Sequence, residues 1–180
     1  MPRTTQQSAK ATRRTGSRSS RDAIALLKAD HRQVEGWFAQ FKKAKKSERK
    51  GKLAAQICNA LKAHTRIEEE IFYPAFLTAT QDTELHHEAE VEHAGAKRLI
   101  GEIEAMRPED EYYDAKVKVL SEMIKHHVKE EEQPGGMFAE ARKSDMDLDD
   151  LGQRMAARKK EIEQTGDDGS PGVVRSLLNS

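Results

Sequence analysis

Four long stretches of this chain repeat an apolar residue every three or four positions, and in each stretch a histidine takes one place in the repeat. The first runs Ile24, Leu27, His31, Val34, Phe38 and Phe41, at steps of 3, 4, 3, 4 and 3. This is the seam of an amphipathic helix that packs lengthwise against others. The second seam is Leu53, Ile57, Leu61, His64, Glu68 and Ile71. The third is Ala89, His93, Ala96, Ile100 and Ile103, and the fourth is Tyr113, Val117, Leu120, Ile124, His127 and Glu131. β-Branched runs are few, and Gly and Pro cluster at the boundaries between seams. The pattern predicts an all-α protein, an antiparallel up-down-up-down four-helix bundle.

Punctuation residues set the expected limits. Ser20 or Asp22 caps a first helix over about 22–46, and Ser47 caps a second over about 48–78, with a kink or stop at Pro74. A third helix over about 81–107 ends at Pro108, and a fourth starts near Glu109 and meets a break at Pro134-Gly135-Gly136. Leu148, Leu151, Met155 and Ile162 predict a short additional C-terminal helix packed outside the bundle. Residues 1–20, rich in Ser, Thr and Arg with little to bury, read as a disordered basic tail; 21–164 read as the bundle and 165–180 as a flexible C-terminal tail.

The formal net charge is zero, but its distribution is uneven. Arg3, Lys10, Arg13, Arg14, Arg18 and Arg21 stand before the first helix with no acid among them, so the body that follows is acidic. The tail reads as solvating in preference to a nucleic-acid contact. The Arg13-Arg14 pair is not followed by the apolar segment of an export signal. No stretch approaches the ~20 apolar residues of a membrane helix. The single cysteine, Cys58, excludes an internal disulfide framework and fits a reducing, cytoplasmic setting, where it reads as a small buried apolar residue.

A seam histidine is usually a hydrogen-bonded core residue, but four buried imidazoles without partners would cost several kcal/mol. Metal ions supply the partner, because neutral imidazole is a ligand for Fe, Zn and Cu. Two of the four belong to a repeated His-x-x-x-Glu, His64 with Glu68 and His127 with Glu131. That spacing puts both side chains on one helix face a turn apart, and a carboxylate can bridge two ions. At ~1.5 Å of rise per residue in an up-down-up-down bundle, all six groups fall within about one turn of a common level. The flanking Glu69, Glu70, Glu130 and Glu132 lie off the seam and read as a solvated face. His126 lies about 100° round from His127 and is the poorer ligand; His86 could face inward, and His87 reads as exposed.

The pattern His31 … His64-x-x-x-Glu68 … His93 … His127-x-x-x-Glu131 resembles the bacterial hemerythrin-like, HHE cation-binding, family over roughly residues 22–160. The segments LKAHTRIEEEIFYPA, EAEVEHAGAKRLI and YDAKVKVLSEMIKHHVKEEE are similar to it beyond the ligands. The resemblance implies two non-haem Fe ions, oxo- or hydroxo-bridged, with Glu68 and Glu131 as carboxylate bridges. It places His31 and His64 on one iron and His93 and His127 on the other. It implies a small diatomic or peroxidic ligand (oxygen, nitric oxide or hydrogen peroxide), with binding, sensing, catalase-like turnover and stress-linked iron handling as competing uses. Two positions depart from the oxygen-carrying members. Ala89 stands where they have a second third-helix histidine, and Glu131 where they have a more distant aspartate. One iron should then have fewer nitrogen ligands, with Glu90 a candidate to fill the gap, and simple reversible oxygen carriage is disfavoured. The Pro134-Gly135-Gly136 break is expected to loosen the Glu131 side. A ferritin-like iron oxidase or store is disfavoured, since both Glu-x-x-His pairs (Glu84/His87, Glu90/His93) lie on the third helix. The remaining alternative is a metal-free helical interaction module. The chain is expected to be a monomer or weak homo-oligomer with no membrane partner.

Overall fold

The computed structural model describes residues 22–166, and the two predicted tails lie almost wholly outside them. The described residues form α1 (Ala23–Lys43), α2 (Ser47–Ile67), a π turn (Glu68–Phe72), α3 (Tyr73–Thr80), α4 (Thr83–Glu104), α5 (Tyr113–Glu132), α6 (Met137–Lys143) and α7 (Leu148–Thr165). α1 packs along α2 and α4 along α5; α2 touches α4, and α1 meets α5 more sparsely, which closes the four-helix ring.

The seams are buried much as the periodicity requires. Ile24, Leu27, His31, Val34, Phe38 and Phe41 all face inward on α1, and Ala89, His93, Ala96, Ile100 and Ile103 on α4. The apolar side chains divide into two clusters. One, at the end where α1 begins, joins Ile24, Leu27, Phe72, Tyr73, Phe76 and Met155. The other, at the far end, joins Phe38, Leu53, Ile57, Ile100 and Leu120. On α1, α4 and α5 the inward histidine, and on α5 also Glu131, lies in the chain between residues of these two clusters, while His64 and Glu68 are set among residues of the first, so the bundle carries a polar layer inside an apolar column.

Several boundaries differ from the sequence expectation. Asp22 caps α1, accepting from the Ala25 amide at 2.7 Å. Ser47 does not cap α2: Lys46 holds that place without a side-chain bond, and Ser47 is the first helical residue. The second helix is interrupted not at Pro74 but six residues earlier, at Glu68, where the backbone widens into the π turn closed by the Tyr73 amide on the Glu68 carbonyl. Pro74 is harmless because it falls in the first turn of α3, where an amide donor is not required. α5 starts at Tyr113, after turns over 107–112, rather than near Glu109.

The additional C-terminal helix packs on the outside of the four-helix ring, as expected, but is longer than expected. α7 spans 18 residues, buries Leu151, Met155 and Ile162, and packs against α1, α2 and the π turn. The break after α5 is also tighter than expected. Gly135 has φ +82, and a Cβ on Gly136 would sit 2.1 Å from the Glu130 carbonyl oxygen and 2.9 Å from that of Glu131. Gly136→Ala should cost about 2 kcal/mol or more in chemical denaturation, because backbone, not a flexible side chain, must move.

Candidate metal centre

α1, α2, α4 and α5 each deliver one histidine to the polar layer, and each of these residues is 5% exposed or less. Their Nε2 atoms converge in pairs. His31 and His64 are 3.1 Å apart at Nε2, and His93 and His127 are 3.2 Å apart. The two glutamates join the pairs. Glu68 Oε2 lies 3.2 Å from His64 Nε2 and 3.4 Å from His93 Nε2. Glu131 reaches His31 Nε2 at 3.3 Å through one oxygen and His127 Nε2 at 3.6 Å through the other. Each carboxylate thus faces one histidine of each pair. His31, His64, Glu68 and Glu131 form one candidate ligand group, and Glu68, His93 and His127 a second.

These distances fit cations. Two ligands about 2.1 Å from a common ion and at right angles to each other lie about 3.0 Å apart. Neither Glu68 oxygen has a hydrogen-bond partner, nor does Glu131 Oε2, although all are buried. A carboxylate with no solvent and no donor is costly, and a shared cation is the partner that this donor set can take. Without one, protons manage the charge. Burial alone would push His64 down, but Glu68 and Asp30 outweigh it and hold His64 up to about 10. Burial and the neighbouring His64 charge push His31 down to about 4. Burial and the Glu68 charge raise Glu131 well above the carboxylate range.

An outer layer orients the rings, and the sequence reading missed most of it. Each histidine gives its Nδ1 to a separate carboxylate: His31 to Glu132 at 2.8 Å, His64 to Asp30 at 3.3 Å, His93 to Glu69 at 3.0 Å and His127 to Glu92 at 2.7 Å. Glu69 and Glu132 are therefore not members of a merely solvated face. With Nδ1 engaged, each ring is fixed with Nε2 toward the centre, as a metal-binding imidazole requires. Every one of these carboxylates also meets a basic group: Glu132 meets Arg32 and Lys28, Asp30 meets Lys159, Glu69 meets Lys97, and Glu92 meets His126. His126 is otherwise exposed, while His127 is buried. Glu90 is also exposed and lies 3.7 Å from His86, so it does not fill the gap left by Ala89.

Tyr73 occupies that side instead. Its hydroxyl is 3.1 Å from His93 Nε2 and 3.5 Å from Glu131 Oε1, and the residue is 1% exposed. Burial, with Glu68 and Glu131 nearby, raises its phenol well above the usual range, so it remains an O–H group. His86 packs edge-on against the Tyr73 ring and stays outside the ligand groups of the centre. The α-helical period pointed to Ile71 as the next inward residue after Glu68, but Ile71 is only half-buried. The extra residue of the π turn passes that place to Tyr73. Cys58 is buried in the far cluster, where burial and Glu104 push its thiol up to about 12, leaving it unreactive.

Comparisons with known proteins bear on the fold and the family. A solved hemerythrin HHE cation binding domain-containing protein from Mycobacterium kansasii shares the fold with a TM-score of 0.67 and 25% identity, over 79% of this chain and 88% of that one. A DNA nickase from Nostoc sp. is 27% identical over 110 residues, which are 59% of this chain but only 30% of the nickase. The model of the hemerythrin HHE cation binding domain matches residues 22–134, which contain all four inward histidines and both inward glutamates. This chain belongs to the hemerythrin HHE cation-binding family.

Proposed function

We propose that the chain holds two iron ions, one between His31 and His64 and one between His93 and His127, with Glu68 and Glu131 shared, and that it binds or transforms a small ligand there. The observation that carries this reading is the unpartnered Glu68 carboxylate, fully buried and facing a histidine of each pair. Two irons would supply Lewis acidity and one-electron redox change. The chain's own groups do the rest. Four outer carboxylates hold the imidazole tautomers, the two apolar clusters keep bulk water out, and Tyr73 keeps an O–H beside His93 and Glu131.

Size favours oxygen, nitric oxide or hydrogen peroxide as the ligand. The cavity beside the four histidines is about 10 Å³, roughly the room for one water-sized molecule. A wider groove between α1 and α5 reaches His31 from outside, and Ile124 and Val128 line both the groove and the inner cavity. A DNA backbone could not reach side chains so enclosed, so the nickase likeness carries no cutting activity to this site. No helix among the described residues is long and apolar enough to cross a membrane.

The test is elemental analysis and a visible spectrum after reconstitution with ferrous iron, followed by mixing with peroxide or nitric oxide. About two irons per chain and a spectrum that responds to either ligand are expected; no bound iron overturns the reading. Tyr73→Phe is expected to keep the iron and the ring packing against His93 but to slow peroxide consumption by about a hundredfold, the lower reach of lost proton-transfer assistance. Unchanged consumption would remove Tyr73 from the chemistry.

A further inference from the structure

The fourfold pattern of histidine, carboxylate and basic group has one member built differently from the rest. Glu132, Glu69 and Glu92 take their basic partners from α1, α4 and α5, all inside the family-matched span of residues 22–134. Asp30 takes its partner from α7, beyond that span. Lys159 Nζ lies 2.5 Å from Asp30 Oδ1, while Asp30 Oδ2 accepts from His64 Nδ1 at 3.3 Å. Asp30 is 8% exposed. The lysine side chain is 18% exposed, against 45% for Lys97 and 56% for Arg32 in the corresponding places.

From this geometry we infer that Lys159 is a positioning residue for the His31–His64 half of the centre, acting through Asp30. The inference rests on the two-metal reading above. A carboxylate that must present one oxygen to an imidazole is fixed only when its other oxygen is also held, and Lys159 is the group that holds Oδ1. Burial matters because an exposed ion pair is screened and mobile, whereas this one is enclosed against α1. α7 is set for the task. Leu151, Met155 and Ile162 anchor it, and the adjacent Arg158 pairs with Glu70 of the π turn, two residues from Glu68. One helix thereby fastens both Asp30 and the turn that presents Glu68. In the His93–His127 half the outer carboxylates meet Lys97 of α4 and His126 of α5 instead.

The experiment is a zinc titration of the full chain by calorimetry, with cobalt(II) substitution as an optical probe, for wild type, Lys159→Met and Lys159→Arg. Lys159→Met leaves Asp30 in place, so it should weaken one of two zinc-binding events by about tenfold, the lower end of the loss when the outer partner of a ligand is itself removed, and leave the other within about threefold. The cobalt bands of one half should shift, and Lys159→Arg should restore both affinity and bands. Helix content and the denaturation midpoint of the metal-free variants show whether a change is global. If wild type takes two ions and Lys159→Met takes both with unchanged affinity and bands, Lys159 has no positioning role. Equal weakening of both events, or failure of arginine to rescue, would make α7 a general brace and also overturn the inference. If wild type binds no metal, the two-metal reading fails first.

Discussion

Glu68→Ala should reduce bound iron from about two ions per chain to nearly none, whereas His64→Ala should leave about one. The difference follows from what each side chain touches. His64 Nε2 faces His31, Glu68 and no member of the other pair, while Glu68 Oε2 faces His64 and His93 alike. Removing a terminal ligand weakens one position. If Glu68 is shared as proposed, removing it would take an anionic ligand from both positions and leave less negative charge between two like-charged ions. Iron content by elemental analysis after reconstitution and desalting reads the result directly. Equal losses in the two variants would mean that Glu68 does not serve both halves.

Stripping the metal should lower the thermal midpoint by 10 °C or more, and restoring ferrous iron should recover it. Ions that bind only the folded chain stabilise it by about 2.7 kcal/mol each when present at a hundredfold excess over Kd. Two such ions contribute about 5 kcal/mol. At about 2–4 °C per kcal/mol for a domain of this size, the shift is about 10–20 °C. The structure gives the effect a local cause: without cations the layer must contain Glu68 and Glu131 with carboxylate oxygens that no donor satisfies. Calorimetric scans with and without chelator, with magnesium as a control for ionic strength, measure it. A midpoint indifferent to chelation would mean that the histidine layer is stable in its own right.

The bundle was legible in the sequence because its seams are regular. On α1 every seam residue from Ile24 to Phe41 is buried, and a period that survives six positions leaves little choice of fold. The inward histidines and glutamates were visible for the same reason: they interrupt an apolar series at places where a polar residue needs a cause. Three things were hidden. Glu69, Glu92, Glu132 and Asp30 lie on flanks where charged residues are ordinary, and only the direction of each Nδ1 gives them a role. Lys159 is more than a hundred residues from Asp30, and no periodicity links α7 to the rim of α1. Tyr73 was lost because the helical period was carried through a segment that does not keep it.

That irregular segment has a consequence for how the chain tolerates insertions and deletions. His64, Glu68 and Tyr73 share a face across a step of four and then a step of five. A regular helix shares a face at a step of four. Excising one residue between Glu68 and Tyr73 would therefore restore an ordinary helix without rotating the tyrosine away from the centre. If the excised residue were Glu70, the main loss would be its link to Arg66 and Arg158. A gap at this point is thus a gentler change than a substitution at Tyr73, the reverse of the usual ranking for a helix interior.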